Sequence, residues 1–139
     1  MGNHKELIVW QKSITLVKLV YQQTGSFPSD ERFGLTNQMR RCSVSIPSNI
    51  AEGFGRGSDK ELTRFLRISL GSSSELDTQL ILSKELHYMD EKRYNELSAL
   101  NEEVAKMLSS LIYRRVNSLD SNLKTNKLTN LKTNKLTNL

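Results

Sequence analysis

With 139 residues, 37% of them hydrophobic, the chain has room for one domain. No run of eighteen apolar residues occurs, which excludes a membrane span, and Met1 to Glu6 lack the charged-apolar-small order of a secretory signal. Cys42 is the single cysteine, so no internal disulfide framework exists, and the expected setting is the reducing cytoplasm. The net charge of +5 is concentrated in the tail. Setting aside Lys124, Lys127, Lys132 and Lys135 leaves 16 of the 20 bases against 15 acids, a body of nearly neutral charge. Composition alone therefore points only faintly to a nucleic-acid partner.

The first helix is predicted over about residues 5–24. Leu7, Trp10, Ile14, Val17 and Tyr21 recur at spacings of three and four, and Ile8, Val9, Leu16, Leu19 and Val20 widen that face. Gly25 stops the helix, and Ser26 to Ser29 form a connection in which Ser29 or Asp30 caps the next helix. The second helix carries Leu35, Met39, Cys42, Ile46, Ile50 and Phe54 in one register. That register keeps its phase through Pro47, so one helix kinked at Pro47 is favoured over a break near Ser45. Gly53, Gly55 and Gly57 end it.

Ser58 followed by Glu61 has the spacing of a capping box and opens a third helix, which should reach about His87. Leu62, Phe65, Leu66, Leu76, Leu80 and Leu86 form its apolar stripe. Gly71-Ser72-Ser73-Ser74 interrupts that stripe as a packing notch or an exposed polar seam. Asp90 caps a fourth helix over about 91–116, with Leu97, Leu100, Val104, Met107 or Leu108, and Leu111 as its seam. Four amphipathic helices with short connections make an all-α, antiparallel up-down bundle over residues 1–120. Residues 121–139 repeat LKTNKLTN, with leucines at spacings of five and three that fit no helical stripe. The expectation is a basic, low-complexity, disordered extension, with a coiled continuation of the fourth helix as the alternative.

The chemistry-bearing residues are sparse. The glycines at 53, 55 and 57 follow a helix and no strand precedes them, the wrong context for a dinucleotide or phosphate loop. His4 and His87 lie in no metal-ligand spacing, and no nucleophile, base and oxyanion site assemble, so no catalytic residue, metal or cofactor is expected. Arg40, Arg41, Arg56, Lys60, Arg64 and Arg67 gather near the junction of the second and third helices. They could contact phosphates, although solvated faces with local ion pairs are the plainer account. Asn49, Glu52 and Glu75 are candidates for buried polar roles around the kink.

Several stretches together carry a resemblance. They are Val9-Trp10-Gln11-Lys12, Phe27-Pro28 with Glu31, Gly34-Leu35, Gln38-Met39-Arg40-Arg41, and the block from Ser43 to Gly53. Arg56, Phe65-Leu66, Gly71 to Leu76 and Gln79-Leu80 complete the set. Over about residues 5–115 the chain resembles the bacterial four-helix-bundle proteins of 23S ribosomal RNA intervening sequences, some of them labelled S23 ribosomal protein. The resemblance implies a ring-like homopentamer. It also implies kinship with the accessory protein of diversity-generating retroelements, a basic pentameric barrel that binds nucleic acid and a reverse transcriptase; the nearly neutral body here departs from that basic character. Carried over residue by residue, it makes Arg40, Arg41, Arg56 and Arg64 candidates for nucleic-acid contact. It makes Asn49, Glu52, Ser72 and Glu75 candidates for polar packing or subunit contact. The expected function is a non-enzymatic homo-oligomeric scaffold that binds RNA or DNA through a basic surface. The alternative is a protein-interaction module that recruits a partner enzyme without nucleic acid.

Overall fold

Four helices follow one another with short connections in the computed structural model, which describes residues 3–137 and side chains over 3–132. A 3-10 turn at His4–Glu6 leads into α1 (Ile8–Thr24), and a second at Ser29–Glu31 separates it from α2 (Leu35–Gly55). α3 (Asp59–Glu85) and α4 (Glu91–Thr137) complete the chain, and no strand occurs among the described residues. Each helix packs on its chain neighbours and α4 closes against α1, the up-down square of an antiparallel bundle. The centre is filled by Leu16, Val20, Met39, Ile46, Ile50, Leu62, Leu66, Leu76, Leu80, Leu97, Val104 and Leu108, all but completely buried.

α1 turns a different stripe inward from the one its strongest apolar seam predicts. The buried positions are Val9, Ser13, Leu16, Val20 and Thr24, whereas Leu7, Trp10, Ile14 and Val17 are half-buried and Tyr21 is exposed. Two hydroxyls disguise the inner face. Ser13 Oγ donates to the Trp10 carbonyl (2.7 Å) and Thr24 Oγ1 to that of Val20 (2.7 Å), so both can be buried without an unpaired donor. The helix is apolar on two sides, and the bundle uses one of them.

α2 starts later than the sequence suggests. Neither Ser29 nor Asp30 caps it; those residues form the 3-10 turn, and Glu31 Oε2 accepts from the Leu35 amide (3.2 Å) at the first free donor of α2. The seam from Leu35 to Ile50 is buried as its spacing predicts, and α2 runs unbroken through the buried Pro47. Gly53 lies inside the helix and does not terminate it. A Cβ there would sit 3.0 Å from Phe65 Cβ and 3.1 Å from Leu62 Cδ1, so its task is to let α2 approach α3. The chain turns at Gly57, in the left-handed region at φ 81°.

Ser58 Oγ accepts from the Glu61 amide (3.2 Å), as the capping box predicts, and opens α3. The serine-rich stretch does not interrupt the helix. Ser69 Oγ donates to the Ile46 carbonyl (2.8 Å), and Ser73 Oγ donates to Asn101 Oδ1 (2.8 Å) while Asn101 Nδ2 returns a bond to the Ser73 carbonyl (2.9 Å). These are the packing notch, whereas Gly71 faces open space and Leu86 lies outside the core, 51% exposed. α3 ends with His87 at φ 61°, the Tyr88 amide donating back to the Ser83 carbonyl (2.9 Å). Asp90 Oδ1 then accepts from the Arg93 amide (2.8 Å) and caps α4.

α4 does not stop near Val116. The helix continues to Thr137 across the segment expected to be disordered, and no glycine or proline interrupts it. Thr125 and Thr129 turn their hydroxyls onto the carbonyls of Ser121 and Thr125 (3.0 Å each). Burial, by contrast, stops close to the expected boundary: Leu119 is half-buried, and 120–132 are exposed throughout. Residues 138–139 of the repeated tail lie outside the described residues.

Candidate nucleic-acid interface

Arg40, Arg41, Arg56 and Arg64 do not form one cluster. Arg41 and Arg56 are fifteen residues apart on one continuous helix, about 22 Å along its axis. Arg40 is half-buried between α1 and α2: its Nε donates to Thr24 Oγ1 (2.9 Å) and its guanidinium lies 4.6 Å from the Tyr21 ring centre. That geometry ties two helices together and leaves little of the group for a ligand. Arg41 is exposed on the rim of the α2/α3 groove.

Arg56 and Arg64 do come together, around Phe65. Their guanidinium carbons lie 5.3 and 4.4 Å from its ring centre, and each also holds a carboxylate. Arg56 Nη2 reaches Glu52 Oε1 (2.8 Å) and Arg64 Nε reaches Glu61 Oε2 (2.9 Å). Arg64 holds the Glu61 carboxyl below its ordinary range. Both pairs are exposed to solvent, which screens them.

The antiparallel topology adds cations from elsewhere to this end. Arg115 Nη1 meets Asp59 Oδ1 (3.2 Å), placing the last packed turns of α4 beside the start of α3. Residues 3–7, 52–67 and 110–119 together contribute seven Lys and Arg against four Asp and Glu, an end of net positive charge. Among the described residues no ion pair engages Lys60, Arg67 or Arg114, the last of which sequence spacing could not place here.

Ser72 and Glu75 line the polar groove between α2 and α3, and Asn49 lies one turn further along α2, bonded to Ser45 of its wall. Asn49 Nδ2 donates to the Ser45 carbonyl (2.8 Å) and to Ser45 Oγ (2.9 Å), and the Ser45 and Ser72 hydroxyls share a bond (2.9 Å). Glu52 is absent from this network, being exposed and paired with Arg56. Cys42 Sγ donates to the Ser72 carbonyl (2.9 Å) and lies 3.6 Å from Glu75 Oε2. Burial, then the Glu75 charge, push the thiol up to about 12. Such a group stays protonated at neutral pH and is a poor nucleophile. No group of three His, Cys, Asp or Glu side chains able to hold a metal occurs among the described residues.

The α1/α2 groove is apolar. Trp10, Ile14 and Val17 on α1 face Val44, Pro47 and Ala51 on α2 around a cleft of ≈ 280 Å³. This is the outer face of α1, which the bundle covers only in part.

The 23S rRNA-intervening sequence protein family matches residues 5–110. The chain belongs to that family. A solved structure with the same fold is a protein of unknown function from the S23 ribosomal protein family of Bacteroides thetaiotaomicron VPI-5482. It is 23% identical, with a TM-score of 0.71, and the similarity covers 76% of this chain and 96% of that one. No curated protein matches. The 23S rRNA-intervening sequence family match ends at Ser110, so the last packed turns of α4 and its extension lie beyond it. No described helix is long and apolar enough to cross a membrane.

Proposed function

We propose that the chain is a non-enzymatic, self-associating scaffold of the cytoplasm whose positive end binds the phosphate backbone of RNA or DNA. The observation that carries this reading is the gathering of Arg56, Lys60, Arg64, Arg67 and Arg114 at one end of an otherwise nearly neutral bundle. Guanidinium groups suit phosphate because they offer paired donors, and Phe65 holds two of them in place. A backbone-directed surface predicts strong salt dependence and little base preference.

The second apolar face of α1 supports the self-association part of this reading. Covering a Val, Ile or Trp side chain is worth about 1.5–3 kcal/mol when complete, and Trp10, Ile14 and Val17 line an open cleft together. Trp10→Glu should lower the oligomeric state seen by sedimentation while leaving the helical signal intact. An unchanged assembly would remove this face from the interface.

The nucleic-acid reading is tested by fluorescence anisotropy with duplex and single-stranded RNA and DNA over a salt series. Replacing Arg56, Lys60 and Arg64 together by Gln should weaken binding and flatten the salt slope by about 0.7–0.9 per lost phosphate contact. Unaltered affinity and slope would refute the site. A protein-interaction module without nucleic acid is the second reading. It is favoured by Phe33, 87% exposed near the opposite end, where a partner could seat it.

A further inference from the structure

The continuation of α4 past the bundle is unlike the rest of the surface. Residues 120–132 are exposed throughout, and the helix projects from the same end that carries Arg56, Arg64 and Arg114. From Leu119 to Thr137 it extends about 27 Å. After Asp120 it contains no acid. At about 100° per residue, Leu123, Lys124, Lys127, Leu128, Leu131 and Lys132 fall within one half of the circumference. Asn122, Thr125, Asn126, Thr129 and Asn130 fill the other half, so every described cation of the projection points to one side.

We propose that this projecting helix is a basic arm that prolongs the positive end of the bundle and lies, as a helix, along the backbone of a nucleic-acid duplex. The inference rests on the nucleic-acid reading above and specifies how the duplex is held. The distance from Arg114 to Lys132 is about 27 Å, which corresponds to about eight base pairs at 3.4 Å each. The one-sided lysines meet phosphates on that side, and the amide and hydroxyl side chains remain in water. A shaft that is already helical orders fewer residues on binding than a coil does, and so gains affinity from the same number of charges.

Two full-length variants separate the arm from an unstructured polycation. Exchanging Lys124, Lys127, Lys132 and Lys135 for Gln should weaken binding to a 20-base-pair duplex and flatten the salt slope by about 3–4. Asn126→Pro leaves every charge in place and breaks the helix in an exposed segment outside the core. It should weaken binding roughly tenfold at moderate salt, as the cations beyond it lose their fixed direction. Asn126→Pro that binds as tightly as the natural sequence would overturn the arm. Binding to vesicles containing phosphatidylserine but not to any duplex would overturn it as well. The two readings fail separately. If the four-lysine and Asn126→Pro variants both lose binding while the Arg56/Lys60/Arg64 variant keeps it, the arm stands and the bundle-end site falls. The opposite pattern refutes the arm and leaves the bundle-end site.

Discussion

Gly53 and Gly71 both lie within helices, and their responses to alanine should have opposite signs. Alanine is favoured over glycine in a helix interior by about 0.8–1 kcal/mol. At Gly71 nothing lies within 4 Å of the added Cβ, so that gain is realised and Gly71→Ala should stabilise by about 0.5–1 kcal/mol. At Gly53 the same atom would meet Phe65 Cβ at 3.0 Å, Leu62 Cδ1 at 3.1 Å and the Leu62 carbonyl at 3.3 Å. Leu62 Cδ1 can rotate away. Phe65 Cβ and the carbonyl cannot, because they belong to or adjoin the α3 backbone. Overpacking of this kind costs about 1–3 kcal/mol, which offsets the propensity gain and leaves Gly53→Ala destabilised by up to about 2 kcal/mol. The two variants should therefore differ by about 2 kcal/mol. Urea unfolding at matched protein concentration reads that difference as separated midpoints with a common slope. If Gly53→Ala gained stability as Gly71→Ala does, the α2–α3 approach would not be limited by that glycine, and termination would again be its best explanation.

Three further outcomes follow from local geometry. His87 occupies the left-handed position that closes α3, where a side chain costs about 1–2 kcal/mol, so His87→Gly should raise the thermal midpoint and His87→Val lower it. Gln79 is 4% exposed, and its Oε1 is buried without a hydrogen-bond partner among the described residues; Gln79→Met should gain about 1 kcal/mol, and a loss in the assembled protein would reveal a partner for that oxygen across a subunit interface. With the Cys42 thiol held at about 12, the thiolate fraction at pH 8 is about one in ten thousand, so alkylation by iodoacetamide should be about a thousandfold slower in the native protein than in urea. The raised value also means that the unfolded chain loses its proton first. Cys42 therefore favours the folded state below about pH 9, and that contribution declines as pH rises toward about 12.

The legible parts of the sequence were those where one physical signal acts alone. The four-residue rhythm from Leu35 to Ile50, the Ser58 cap and the Asp90 cap each express a single requirement, and the structure meets each of them. α1 was harder because two apolar stripes compete and the inner one is broken by Ser13 and Thr24, whose hydroxyls bond their own helix. Gly53 sits close to Gly55 and Gly57, and only the position of α3 distinguishes a close-packing glycine from a helix stop. For the arginines, nearness in sequence stood in for nearness in space. A continuous α2 carries Arg40 and Arg41 far from Arg56, while the return of α4 brings Arg114 to that end from the far side of the chain. Disorder was expected after Asp120 because the leucines form no regular stripe; the helix there contributes nothing to the core, so no core pattern could announce it.

The small polar residues between the helices have a consequence for assembly geometry. Leucine-filled bundles can slide by a helical turn, about 5.4 Å, and still match apolar surface to apolar surface. Here such a slip would break the Ser69 bond to Ile46, the Ser45–Ser72 bond and the Ser73–Asn101 pair at once. The stagger of α2, α3 and α4 is thus discrete, like a rack with one tooth engaged, and in any closed assembly of these chains the charged ends recur at one constant height.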